Sequence, residues 1–188
     1  MKDLRQEISW LGVVLIPLLI WWGTGPVPPY AIWDLDAVRQ GELWRILTSH
    51  WVHLNEAHLR LNIIMLAGLA VALGASATLW SLAVGMIGVN IWLWLDPTAP
   101  LYYGGLSGAL HAPWALLLIR GLRQHTQNKR YVLLFVGTCG KLGWELYTGS
   151  SLFIPETSHT AVYAHVAGFA GGLWVGVLHH LPRSKQIT

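Results

Sequence analysis

Four polar residues stand where apolar segments begin, and their types suit acyl-transfer chemistry. Ser107 lies in Gly104-Gly105-Leu106-Ser107-Gly108, at the mouth of an apolar run. A serine there can simply cap a helix. The same position also sets its hydroxyl beside the free N–H groups of a helix start, which can stabilise a developing oxyanion. His165 lies in Ala164-His165-Val166-Ala167-Gly168-Phe169-Ala170-Gly171-Gly172. Gly168 and Gly172 make a small-residue face for close helix packing, and His165 is one turn before Gly168 on that stripe. An imidazole with a pKa of about 6.5 is mostly neutral at pH 7 and can take the serine proton. The alternative for His165 is a ring bonded to a neighbouring carbonyl. His58 and Asn62 are spaced i, i+4 and share a helix face; they either donate to an oxyanion or tie the preceding segment to the rest of the fold.

Other ionisable residues complicate this arrangement. No Asp falls inside an apolar run, and Glu145, in the fifth run, is the only carboxylate that does, so the expectation is a Ser–His dyad without a third member. Lys141 lies four residues before Glu145. An unpaired charge costs at least ~2.5 kcal/mol near a bilayer centre, so the two either form an ion pair or line a path for the substrate tail or its polar acceptor. His111, four residues after Ser107, is its same-face neighbour and can pack on His165 or compete with it as base. His50, His53 and His58, with Glu56 nearby, raise a metal or haem reading, but no His-Glu-x-x-His motif occurs. No cofactor or metal is expected.

Positioning these residues calls for a membrane. The 188 residues are 54% hydrophobic and 11% charged, against about a quarter charged in soluble domains. The twelve Trp suit an interface where amphipathic rings collect. Apolar runs recur at Ile8–Trp22, Leu59–Leu73, Thr78–Leu95, Ser107–Ile119, Tyr131–Tyr147 and Tyr163–Leu181. These predict an all-α, polytopic membrane protein with six transmembrane helices in one domain over 1–188. Residues 63–95 as one helix would span about 50 Å against roughly 30 Å of hydrocarbon, so a turn is predicted at Gly74-Ala75-Ser76-Ala77. Lys2, Arg5, Arg120, Arg123, Lys129, Arg130, Arg183 and Lys185 fall on one side, which places both termini in the cytoplasm. The other side receives a long loop (23–57), a short one (96–105) and a third (149–162) bearing Glu156. The first run lacks a small-x-small cleavage pattern after it and is expected to stay as a helix rather than a cleaved signal. Scattered basic residues without a dense tract make nucleic acid an unsuitable partner. The single Cys139, inside an apolar run, is expected to serve packing.

With the even-numbered spans all descending from the outer face, His58, Asn62, Ser107 and His165 share one layer. Their order and spacing, together with Gly41-Glu42-Leu43-Trp44-Arg45, His53, the Gly-x-Ser-Gly at 105–108 and the Ala-His-x-x-Gly-x-x-x-Gly at 164–172, resemble the rhomboid protease family. Within it, Tyr103 to His111 is most similar to the short bacterial branch called rhombosortase. The resemblance implies an intramembrane serine endopeptidase of the bacterial inner membrane, its site opening to the periplasmic side. Ser107 and His165 would be the dyad, with His58 and Asn62 in the oxyanion hole, Gly105 beside the site, and Trp44 and Arg45 in a structured outer loop. Many rhomboids carry an aromatic residue where this chain has His111. The implied substrates are membrane-anchored proteins whose C-terminal tail holds a glycine motif, an apolar helix and a basic cluster. An inactive relative that binds membrane helices is the alternative.

Overall fold

The computed structural model describes residues 4–124, 129–152 and 160–178. Lys2, Glu156, Arg183 and Lys185, used above for sidedness, lie outside the described residues, as do the side chain of Arg5 and the end of the sixth run beyond Leu178.

The described chain is all-α apart from one two-residue antiparallel pair. In order it forms α1 (Leu4–Thr24), β1 (Trp33–Asp34), α2 (Leu35–Arg39), α3 (Arg45–Thr48), α4 (Glu56–Leu73), α5 (Ala75–Leu95), β2 (Tyr102–Tyr103), α6 (Ser107–Gln124), α7 (Lys129–Thr148) and α8 (Thr160–Leu178). Six helices are long, and each contains one predicted apolar run up to the last described residue. Among the described residues, α4 and α5 have the length and apolar composition to cross a membrane. The other long helices carry charges or are apolar over a shorter stretch.

The outsides of these helices are apolar. Leu19, Trp22, Ile64, Val71, Ile87, Leu95, Leu133, Tyr147 and Trp174 are all exposed. Contiguous apolar surface of this kind is rare on water-soluble monomers, whereas hydrocarbon accepts it at no cost. Polar atoms lie inside instead: Thr78, Ser81, Glu145 and His165 are buried.

Two expectations need correction. The turn between α4 and α5 is a single residue, Gly74, because Ala75, Ser76 and Ala77 are already helical. Gly74 takes φ +84° and ψ 152°, a conformation open to glycine and strained for other residues. Thr78 Oγ1 sits 2.9 Å from the Gly74 carbonyl and 3.1 Å from that of Leu69, satisfying groups left over where the helices meet. Cys139, expected to pack, is exposed. Thr138, Leu142 and Glu145 form the buried stripe of α7, and Cys139 falls off it by the helical repeat.

The centre of the bundle is a close contact of α6 with α8, with α5 across both. A Cβ on Gly168 would fall on the carbonyl oxygen of Gly108, and one on Gly172 on that of Ala112. The 168-to-172 step on α8 therefore matches the 108-to-112 step on α6, so the two helices run parallel in register. Gly85 of α5 meets the Ala109 carbonyl in the same way, and Gly88 meets that of Ala167. Small residues permit this approach because apolar solvent offers helices little hydrophobic drive to associate, leaving packing to hold them.

The loop from 23 to 57 is folded. Arg45 is buried; its Nε donates to Glu42 Oε2 at 2.7 Å, and its Nη1 donates to the carbonyls of Pro29 and Ile32. Trp44 Nε1 donates to the Tyr30 carbonyl at 3.0 Å. β1 pairs with β2 through Trp33 and Tyr103, so the loop is joined to the segment that leads into Ser107.

Candidate active site

Two structural devices fix the entry to α6. Gly105 has φ +135° and donates its N–H to the Ser49 carbonyl at 2.9 Å. A Cβ there would lie 2.6 Å from His58 Cε1, so this glycine is required both by its backbone and by the ring against it. Buried Tyr103 donates its hydroxyl to the Gly105 carbonyl at 3.0 Å, and Gly108 N–H bonds the same phenol. Burial pushes the Tyr103 phenol pKa up, so it stays protonated as a fixed donor. Ser107 follows as the first residue of α6.

The α6–α8 register then brings His165 to Ser107. Nε2 of His165 lies 3.1 Å from Ser107 Oγ. Its other nitrogen, Nδ1, lies 2.9 Å from Glu145 Oε2, which overturns the expectation that no third member stands behind the histidine. The reason lies in α7: Glu145 is on the buried stripe of that helix, so its carboxylate points inward and is fully buried.

Lys141 and Glu145 form the ion pair that was one of the two readings, at 2.9 Å. Lys141 Nζ is also 3.0 Å from His111 Nε2 and 3.3 Å from His165 Nδ1. The His111 ring stacks on that of His165, with centroids 4.3 Å apart and planes at 24°, so it does the packing that an aromatic residue would do. Its Nδ1 donates to the Ser107 carbonyl at 2.7 Å. With that proton on Nδ1, Nε2 accepts from Lys141. Both nitrogens of His111 are engaged away from the serine hydroxyl, which leaves His165 as the nearer base.

His58 and Asn62 lie on the face of α4 that looks at Ser107. Asn55 caps this helix, its Oδ1 accepting the His58 N–H at 2.8 Å. Both side chains are buried, yet His58 Nδ1 and Asn62 Nδ2 have no hydrogen-bond partner among the described residues. Buried donors without partners are uncommon and call for an explanation. They line a cavity of about 550 Å³ together with Ser107, His111, Lys141 and His165. Apart from Thr138 and Ser151 its remaining walls are apolar, and exposed Leu61 and Ile64 of α4 and Leu133 and Leu134 of α7 are part of its lining.

A family model described as the Rhomboid domain matches residues 40–182. The chain belongs to the rhomboid family. Members of this family are membrane proteins, in general intramembrane serine proteases, and inactive homologues exist. A comparison with curated proteins finds no match.

Among the described residues of this rhomboid chain, His50 and His53 have partners other than a metal. His50 bonds Asn90 at 3.2 Å, and His53 Nδ1 faces the Trp51 carbonyl at 3.1 Å. Among the described residues no group of three or more His, Cys, Asp or Glu side chains could hold an ion. The resemblance implied a place for Arg45 in the outer loop, but its partners there, and the contribution of Tyr103 to the α6 entry, were not derivable from residue patterns. Both act through backbone carbonyls distant in sequence, which leave no local signal.

Proposed function

We propose that this rhomboid chain is an active intramembrane serine endopeptidase, and the observation that carries the reading is the 3.1 Å approach of His165 Nε2 to Ser107 Oγ in a largely apolar cavity open to one side. Ser107 Oγ attacks the carbonyl carbon of the scissile bond while His165 Nε2 takes its proton. The negative charge develops on the carbonyl oxygen, where His58, Asn62 and the N–H groups at the start of α6 donate to it. Collapse breaks the C–N bond, and the departing amine carries off the proton held on His165. An acyl-enzyme on Ser107 remains, resolved by water, or by an amine acceptor in a transpeptidase variant of the same step.

In this reading all six long helices cross the bilayer, with Arg120, Arg123, Lys129 and Arg130 on the cytoplasmic side. The location is the bacterial inner membrane, with both termini inside and the site near the periplasmic face. A substrate helix reaches the cavity from the lipid between α4 and α7. The substrate class is the rhombosortase type, a C-terminal tail with glycines ahead of an apolar helix. Support for it is the resemblance over Tyr103 to His111, and the physical logic that glycine releases extended backbone, which a serine sunk below the surface requires.

The test is a fluorophosphonate probe on the purified protein, followed by cleavage of a co-expressed glycine-tailed substrate. Ser107 should be labelled, and Ser107→Ala and His165→Ala should each abolish labelling and cleavage without adding to one another. An unlabelled wild-type Ser107 overturns the protease reading. Cleavage at an unchanged bond after the tail glycines become Leu overturns the substrate class alone.

A further inference from the structure

Behind the serine and histidine, five side chains form a closed circuit that begins and ends on the nucleophile. Ser107 Oγ faces His165 Nε2 at 3.1 Å; His165 Nδ1 faces Glu145 Oε2 at 2.9 Å; Glu145 pairs with Lys141 at 2.9 Å; Lys141 reaches His111 Nε2 at 3.0 Å; His111 Nδ1 returns to the Ser107 carbonyl at 2.7 Å. Three helices supply the members, α6, α7 and α8; Glu145 and His165 are buried, and Ser107, His111 and Lys141 are half-buried.

We infer that Glu145 is the positioning residue for His165, and that Lys141 and His111 hold Glu145 and the His165 ring in place. A carboxylate on Nδ1 keeps the proton on that nitrogen, so the lone pair of Nε2 faces Ser107 Oγ. It also balances the imidazolium formed once the serine proton has moved, so the site does not generate an unpaired cation in low dielectric. Lys141 keeps the carboxylate from becoming an unpaired anion before that transfer, because its ammonium shares Oε2 with the histidine. His111 limits the tilt of His165 by stacking, while its own Nδ1–H fixes it to the first turn of α6.

Glu145 has a second attachment, which gives the structural alternative. Its other oxygen, Oε1, accepts the Leu152 N–H at 3.0 Å and lies 3.3 Å from Ser151 Oγ, so it also pins the end of α7 to the segment after it. The experiment must separate that anchoring from the hold on His165.

The inference rests on the protease reading, and its first readout does not depend on activity. In ¹⁵N-histidine NMR of the full chain, the signal lost in His165→Ala should be an Nδ1–H tautomer in the wild type. It should change to Nε2–H or a mixture in Glu145→Gln, which keeps an acceptor for Leu152. Kinetically, Glu145→Gln should lower kcat by roughly 100- to 10,000-fold, the scale seen when the orienting carboxylate of a serine protease becomes an amide. KM should stay within about threefold, since the cavity walls are untouched. Glu145→Asp should regain at least about tenfold of that loss by restoring the charge. A wild-type His165 signal in the Nε2–H form overturns the inference whether or not the Glu145 variants fold. So does a Glu145→Gln kcat within about threefold of the wild type. Failure of wild-type Ser107 to label, with the Nδ1–H form present, overturns the protease reading and the catalytic role of Glu145 with it.

Discussion

His58 Nδ1 and Asn62 Nδ2 are buried and have no hydrogen-bond partner among the described residues, which costs about 1–3 kcal/mol for each such group. In the proposed mechanism a carbonyl oxygen turning tetrahedral at Ser107 would supply the partner that both lack. Their cost in the resting state is thus recovered when charge develops, which favours the transition state over the ground state. His58→Ala and Asn62→Ala should each lower kcat roughly 10- to 1000-fold while the folded protein becomes no less stable. Equal stability loss and unchanged turnover would return both to a structural role. His50 carries a different prediction. Burial holds its pKa down to about 4, partly offset by Asn90, while an unfolded histidine titrates near 6.5. As pH falls from about 6.5 to 4 the unfolded chain gains a proton that the folded one resists, so stability is lost across that window and is flat above it. The upper bound is about 3 kcal/mol. Thermal unfolding in detergent across pH 7 to 4 should show the slope, and His50→Gln should make it shallower by the share that His50 contributes. Among individual residues, Ser107, His165, His58 and Asn62 could be read from type and spacing because each stands in the first turns of an apolar segment. The contact of Glu145 with His165 could not, because the rotation of α7 that decides it is a property of three-dimensional packing.

At the level of elements, the distance between Ser107 and His165 is set by glycines of the α6–α8 contact. Gly168 and Gly172 rest on the carbonyls of Gly108 and Ala112, so any side chain there drives α8 away from α6 and carries His165 with it. Overpacking of this kind costs typically 1–3 kcal/mol or more, and a shift of about 1 Å at a reacting pair can cost 100-fold in rate. Gly172→Val should therefore lower activity at least as much as stability, although it lies two turns from the histidine. Melting temperature and kcat measured on the same preparation decide this. A variant that melts early but turns over normally would show that the register is not what sets the pair. The small-residue stripe was legible because spacing by four is a local pattern. The turn at Gly74 was legible in place but not in length, since no rule of composition marks Ala75 to Ala77 as helical when a single glycine suffices to reverse the chain.

For the whole molecule, the six long helices and their order could be read directly from alternating apolar runs, whereas the folded outer loop was implied only by family resemblance. Its anchor, Arg45, satisfies carbonyls 13 and 16 residues away, a relation without any periodicity. Sidedness remains a prediction from charge. Reporter fusions after Arg123 should read as cytoplasmic and one after Asp96 as external; an external signal at Arg123 would overturn the orientation. Arg123 donates from the end of α6 to the Gly176 carbonyl near the end of α8 at 3.3 Å, so both helices finish at the same face, whichever side of the membrane that is.

Cys139 turns outward from α7 and is the only thiol in the chain. That makes the native sequence a ready-made reporter, with no background to engineer away. If α7 is bathed in acyl chains, a charged maleimide should react slowly in nanodiscs and a membrane-permeant one quickly, the difference shrinking in detergent. An environment-sensitive dye placed there would then follow the helix that supplies both Lys141 and Glu145, and any movement of it as a substrate enters would register as a change in colour.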